Sequence, residues 1–191
     1  SSVLADLRQR GVEDILILCA DGLTGLPRAV EAVFPKAVFQ TCIVHLVRSS
    51  TRYVSYRDLK PICADLKTLY TASSVEQADL ALEAAETKWG PKYVHVFKPW
   101  RERKPEWQAF LQFPPELRKA VYTTNTIEAL NRILRKVLKT RGPLPNDEAV
   151  LKLLFLAVRN AKSTWGRAHR DWLTARLQLN LHFSDRLPPV V

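Results

Sequence analysis

Two short stretches in the first third of the chain are apolar without interruption. Ile15-Leu16-Ile17-Leu18-Cys19-Ala20 is the first, and it stops at the turn dipeptide Asp21-Gly22. Ala37 to Cys42 is the second. The first run is short and β-rich, which predicts a strand buried on both faces of a largely parallel sheet. Between the two runs, Pro27 suits the first turn of a helix and Pro35 stops it, so a helix is expected to about Phe34. A further helix begins near Ile43 and carries His45, Leu46 and Arg48. Residues 3–10 have the spacing of a short helix ended by Gly11. Residues 14–57 therefore predict strand, helix, strand, helix, an α/β arrangement.

The pattern then changes. Leu59-Ile62-Leu66-Leu69 and Ala78-Leu82-Ala85-Trp89 repeat at helical spacing, and Pro91, Pro99, Pro105, Pro114 and Pro115 punctuate the segment. No strand pattern stands out there. The last third is helical again. One helix is predicted over residues 125–139, closed by Arg141-Gly142-Pro143. Asn146 or Asp147 caps the next, with Ala149, Leu153, Leu156 and Val158 on its apolar side, and a final helix covers about residues 165–180. The chain thus divides into 1–57, an α/β part; 58–122, an all-helical insertion; and 123–191, a helical C-terminal part. Two strands make a poor sheet alone. Either helices cover them or their partner strands lie in sequence outside this chain.

Composition narrows the class. At 47% apolar and 25% charged residues, the 191-residue chain has the balance of a soluble globular protein. No apolar run approaches the roughly 20 residues that cross a bilayer, so no membrane partner is expected. The first ten residues carry Asp6, Arg8 and Arg10 and no hydrophobic block, unlike a secretory signal. Three Cys do not make a disulfide framework and point to a reducing, cytoplasmic setting. There is no Met, which leads us to expect part of a longer protein.

Charge adds a direction. Lys plus Arg is 29 and Asp plus Glu is 19, a net of +10. Residues 1–57 contribute +2, residues 58–122 +1, and residues 123–191, with 12 basic and 5 acidic groups, +7. A polyanion such as nucleic acid is the natural partner for that excess, although a basic protein with no such partner reads equally well from charge alone.

Few residues could carry chemistry. Asp21 follows a predicted strand, at the end where open α/β sheets bind ligands, and its carboxylate suits a hard cation. Asp-Gly after a strand is also an ordinary turn. Glu128 falls three residues after Asn125, a capping-box position, and four before Arg132, a favourable helical ion pair. A carboxylate there can instead project toward a metal. Positions 128, 132, 135 and 139 share one helix side, reading Glu128, Arg132, Arg135 and Lys139, with Lys136 close by. Ile127, Leu130, Leu134 and Val137 form the side expected to be buried. An acid heading a basic stripe is what a metal-dependent phosphodiester enzyme needs: the acid holds the cation, the bases neutralise phosphates. A solvated helix face gives the same pattern. Cys42 and His45 form a Cys-x-x-His pair, but the remaining Cys and His lack the paired spacing of a zinc site. Neither a P-loop, a dinucleotide fingerprint nor a Gly-x-Ser-x-Gly elbow is present. The five Trp fit a core better than a stacking platform.

Taken together, three segments resemble mutator-type transposases of bacterial insertion sequences. They are Ala20-Asp21-Gly22-Leu23-Thr24-Gly25-Leu26-Pro27; Phe39-Gln40-Thr41-Cys42-Ile43-Val44-His45-Leu46-Val47-Arg48-Ser49-Ser50; and Tyr122-Thr123-Thr124-Asn125-Thr126-Ile127-Glu128-Ala129-Leu130-Asn131-Arg132 with Leu134-Arg135-Lys136-Val137 and Lys139-Thr140-Arg141-Gly142. Their order and separations fit as well.

The resemblance implies a partial RNase H-like fold, mostly helical overall, with an Asp-Asp-Glu catalytic set. Asp21 would be the second aspartate and Glu128 the glutamate; the first aspartate is expected in an earlier strand absent from this chain. Cys42, His45, Asn125 and Asn131 would neighbour the site, and Arg132, Arg135, Lys136, Lys139 and Arg141 would bind DNA. The implied chemistry is cleavage of the element's inverted-repeat ends and transfer of the freed 3′-hydroxyl to target DNA. Three carboxylates would hold two Mg²⁺ (or Mn²⁺) ions about 4 Å apart. The working assembly would be a homodimer or larger, on DNA in the bacterial cytoplasm and nucleoid, and this chain alone is expected to be inactive. Two other readings compete: a non-catalytic DNA-binding remnant or domesticated interaction protein, and a general nuclease of the same fold class.

Overall fold

The computed structural model describes residues 2–122, 125–165 and 172–187, without the side chains of 119–128 and 163–165. Ten α-helices and two strands follow in the order α1 (Ser2–Gln9), β1 (Ile17–Ala20), α2 (Leu26–Val33), β2 (Val38–Thr41), α3 (Ile43–Ser50), α4 (Tyr56–Tyr70), α5 (Val75–Glu102), α6 (Lys104–Gln108), α7 (Pro115–Tyr122), α8 (Asn125–Arg141), α9 (Asp147–Trp165) and α10 (Trp172–His182) among the described residues. A 3-10 turn, Ala109–Gln112, links α6 to α7. The chain is mostly helical with one small parallel sheet, pairing Ile17 with Val38 through Ala20 with Thr41.

The strands differ from expectation in one respect. All four β1 residues are half-buried, not buried on both faces. Among the described residues β1 has one strand neighbour, so the sheet is too narrow to enclose it. Cover comes from helices instead. On one side Leu4, Val30 and Phe34 pack α1 and α2 together, with Leu18 and Phe39 of the strands against them. On the other, Ile17 and Val38 meet a larger core from α3, α4, α5, α6, α7 and α10.

That larger core fastens residues 58–122 to the sheet. Trp100 and Trp107 are fully buried, with ring centroids 5.2 Å apart at 71°. Trp100 Nε1 donates to Ser50 Oγ on α3 at 3.0 Å, and Trp107 Nε1 donates to the Trp100 carbonyl at 2.7 Å. Gln40, in the middle of β2, is fully buried. Its Nε2 donates to the Trp107 carbonyl at 3.2 Å, and its Oε1 accepts from the Phe110 N–H at 2.9 Å. A polar side chain inside a strand is tolerated because both ends of its amide are satisfied.

Residues 58–122 hold no strand among the described residues. Pro91 and Pro99 lie within α5, and the helix breaks at Tyr93, whose φ of −135° and ψ of 54° are not helical. Proline removes an N–H from the helical ladder and crowds the preceding turn, which accounts for a break near Pro91. The break turns the Tyr93 hydroxyl onto Asp58 Oδ2 at 2.7 Å, where Lys92 Nζ also donates at 2.6 Å and Ser55 Oγ at 3.1 Å. These donors, Lys92 foremost, hold the Asp58 carboxyl down to about 2. A depressed carboxylate adds stability above its unfolded value near 4, and loses it as pH falls through the folded value. We expect the urea midpoint to fall between about pH 4 and pH 2, and Asp58→Asn to lower it at pH 7 while flattening that fall. Parallel pH profiles for the two proteins would show that Asp58 does not couple α4 to α5.

In the C-terminal part, Asn146 Oδ1 accepts from the Ala149 N–H at 2.9 Å and caps α9. The apolar side of α9 is narrower than expected. Ala157 and Ala161 are buried, whereas Leu156 and Val158, with Leu151 and Phe155, are exposed. Likewise Leu130, Leu134 and Val137 of α8 are half-buried, and the side chain of Ile127 lies outside those described. α8 and α9 pack chiefly against each other, so each covers a single stripe of its partner. The final helix begins at Trp172; the expected start near residue 165 falls beside residues outside the described set. Trp172 is exposed and Trp89 half-buried, so the core holds fewer of the five Trp than expected; the Trp165 side chain lies outside those described.

Candidate active site

The chain leaves β1 through Asp21-Gly22, and the Leu23 N–H closes this turn on the Asp21 carbonyl at 2.6 Å. Asp21 is exposed, and among the described residues its carboxylate makes no hydrogen bond or ion pair. One residue beyond β2, Cys42 opens α3, and its N–H donates to the Ala20 carbonyl at 2.7 Å. That bond sets the start of α3 beside the residue preceding Asp21. His45 lies one turn into α3, with Nδ1 3.3 Å from Cys42 Sγ. The Cys19 thiol is pushed well above its usual range by its hydrogen bond with Cys42, by burial and by the Asp21 charge.

These residues line one lobe of an open cleft of about 890 Å³. Cys19, Ala20, Asp21, Cys42, His45 and Arg48 form its sheet side. Asn131, Arg132, Arg135, Lys136, Lys139 and Thr140 face them from α8. The helix turns about 100° per residue, so the set 132, 135–136 and 139–140 is one face. Position 128 is one turn earlier on that face. The backbones of Asn125 and Glu128 belong to the first turn of α8, and their side chains lie outside those described. Arg141 is exposed and does not line this lobe. Two residues beyond Lys139, it is turned about 200° around the helix.

A second lobe, also about 890 Å³, shares Asp21, His45 and Arg48 with the first. Arg52 and Tyr53, just beyond α3, and Arg103, at the end of α5, extend it. Arg103 lies so close to Gly22 that a β-carbon at position 22 would occupy the space of its guanidinium. Among the described residues lining either lobe, Asp21 is the one carboxylate.

A family model described as "Transposase, Mutator family" matches residues 1–168. The chain belongs to the Mutator family of transposases. It is 50% identical over 161 residues to a probable transposase for an insertion sequence element from Corynebacterium diphtheriae, covering 84% of this chain and 47% of that protein. It is 45% identical over 185 residues to a probable transposase for the ISRM3-like element of Sinorhizobium fredii, covering 96% of this chain and 46% of the relative. The transposase for ISRM3 of Rhizobium meliloti is 44% identical over the same length and shares. This Mutator-family chain thus spans about half the length of these curated relatives.

Sequence reasoning did not single out the second lobe of this Mutator-family cleft. Part of it was visible: His45, Arg48, Ser49 and Arg52 follow at i, i+3, i+4 and i+7. Arg103 had no such signal, because it meets Gly22 across 81 positions of sequence only once the segment after α3 folds back.

Proposed function

We propose that this chain supplies the second aspartate, the glutamate and much of the phosphate-binding surface of a phosphodiester-transfer site in a full-length insertion-sequence transposase. One observation carries the reading: Asp21, at the carboxyl end of a parallel strand, opens onto the same cleft as the basic face of α8. Strand ends of parallel sheets are where α/β folds place reactive groups. A partial RNase H-like core interrupted by an all-helical insertion accounts for the element order.

The donor chemistry suits a hard divalent cation, Mg²⁺ or Mn²⁺. Asp21 offers a carboxylate oxygen with no described competitor. Asp21 and Glu128 would hold the metal with a further carboxylate from elsewhere in the full-length protein. Bound there, divalent cations neutralise phosphate charge and favour ionised oxygen nucleophiles. Arg132, Arg135, Lys136 and Lys139 hold the DNA backbone beside the scissile phosphate. Cys42 steadies the His45 ring at the junction of the two lobes. The substrates are inverted-repeat ends and target DNA, joined in a homodimer or larger assembly in the bacterial cytoplasm and nucleoid. Among the described residues no helix is long and apolar enough to cross a membrane.

The test is metal-dependent cleavage of end DNA by the full-length protein with and without the Asp21 carboxylate. Persistent cleavage without it overturns the reading. The basic face has its own test. Each phosphate contact contributes about 0.9 to the slope of log K against log salt. Arg135→Glu with Lys139→Glu should reduce the magnitude of that slope by about 2 and weaken end binding at least tenfold. An unchanged slope in a fluorescence-anisotropy titration would remove α8 from the DNA interface.

A further inference from the structure

The second lobe is built differently from the first. The α8 side of the first is polar and cationic, as a duplex backbone requires. The second combines three arginines, Arg48, Arg52 and Arg103, with Leu23, Pro99 and Tyr53. Tyr53 is 73% exposed and Leu23 64%. The Arg52 guanidinium lies over the Tyr53 ring, 5.4 Å from its centroid, and the His95 ring meets it edge-on at 6.2 Å. Neither Arg52 nor Arg103 pairs with a described carboxylate. Gly22 leaves room for the Arg103 guanidinium against the turn that follows Asp21.

Phosphate alone would account for the arginines but not for an aromatic ring and a leucine in the same lobe. A paired base does not account for them either, since its faces are covered by stacked neighbours. An unpaired nucleotide presents both an anion and a bare π-face. Aromatic side chains stack on such bases with little regard to sequence, and arginine adds cation–π attraction.

We infer that the second lobe holds one unpaired nucleotide of the DNA end, adjoining the phosphate at Asp21, with its base on Tyr53 and its phosphate among Arg48, Arg52 and Arg103. Withdrawing that nucleotide from the duplex exposes the neighbouring phosphodiester to Asp21. The lobes share Asp21, His45 and Arg48, so the extracted nucleotide and the scissile phosphate are neighbours on one strand. This inference rests on the proposed transfer site, and its test is separable from that reading.

The full-length Asp21→Asn protein is titrated, with Ca²⁺ present, into end duplexes carrying 2-aminopurine at each position flanking the cleavage point. Fluorescence rises when that base leaves the helix stack. We expect a rise confined to one or two positions, retained by Tyr53→Phe and lost in Tyr53→Ala, each in the Asp21→Asn background. With Asp21 intact, Tyr53→Ala should slow cleavage of paired ends about ten- to a hundredfold, the range of one base–aromatic stack. An abasic site at the responding position should restore most of that loss, because no base remains to be extracted. No fluorescence rise, a rise that survives Tyr53→Ala, or equal losses on paired and abasic ends would each overturn the inference. None of those outcomes bears on whether Asp21 is needed for cleavage, so the two readings fail separately.

Discussion

Full-length protein carrying Asp21→Asn should cut insertion-sequence ends at least about a thousandfold more slowly than the native enzyme while binding them with nearly native affinity. The amide keeps the size of the carboxylate and much of its hydrogen-bonding capacity. It loses the negative charge that makes an oxygen a strong ligand for a hard dication. A thousandfold loss corresponds to about 4 kcal/mol of transition-state stabilisation, within the range seen when one electrostatic contributor is removed from a preorganised site. Little folding stability should be lost, because Asp21 is exposed and bonds no described side chain. Equal thermal midpoints would show that the lesion is chemical. Glu128→Gln should behave alike, and the pair together should cost little more than either alone, since residues acting as one unit are not additive. Native cleavage by Asp21→Asn would leave the family membership standing and move the chemistry elsewhere in the cleft.

The roles proposed for the two lobes differ by polarity. The α8 lobe would take backbone charge from outside the helical groove, and the second lobe would take a single nucleotide out of it. Their common residues come from the turn after β1 and the first turns of α3. Both turns are fixed by the sheet. The Ala20–Cys42 backbone bond continues the ladder by one step past β2, so Asp21 and His45 cannot drift apart without unpairing the strands.

Much of this was legible in the sequence, for identifiable reasons. The strand and helix runs at 15–50 carry their own punctuation in Asp21-Gly22, Pro27 and Pro35, and the observed elements lie within about two residues of those limits. The basic face of α8 follows from periodicity, and the cleft shows what it faces. Less legible were features that depend on residues 58–122 returning to the sheet. Gln40 reads as a polar strand residue and turns out fully buried, because residues 107 and 110 supply its partners. Gly22 reads as a turn residue, yet its missing side chain also admits Arg103. In α9 the periodic apolar pattern overstated burial. Leu156 and Val158 satisfy a helical stripe, but a stripe becomes core only where a neighbour covers it.

The return of residues 58–122 to the sheet is also the most vulnerable point of the fold. Trp107→Ala should destabilise the protein by about 4–5 kcal/mol, the upper range for removing a large buried aromatic. Three losses coincide. The ring is fully buried, so its removal leaves a cavity between α6 and the sheet. Its edge contact with Trp100 at 5.2 Å disappears, and such pairs contribute about 0.5–1.5 kcal/mol beyond burial. The Trp100 carbonyl loses the indole donor at 2.7 Å, near the C-terminal end of α5 where carbonyls lack helical partners. A typical domain is stable by only about 5–15 kcal/mol, so the urea midpoint should drop by about a quarter or more. Trp107→Phe should recover most of the cavity term but not the hydrogen bond, and fall between. The functional consequence follows from position: Arg103 is the residue before α6, and loosening α6 releases it from Gly22. At a temperature where Trp107→Ala is still folded, the second lobe should therefore fail before the first. A variant with native salt dependence of end binding but slowed cleavage would show that order, whereas a native urea midpoint would show that α6 is not what fastens residues 58–122 to the sheet.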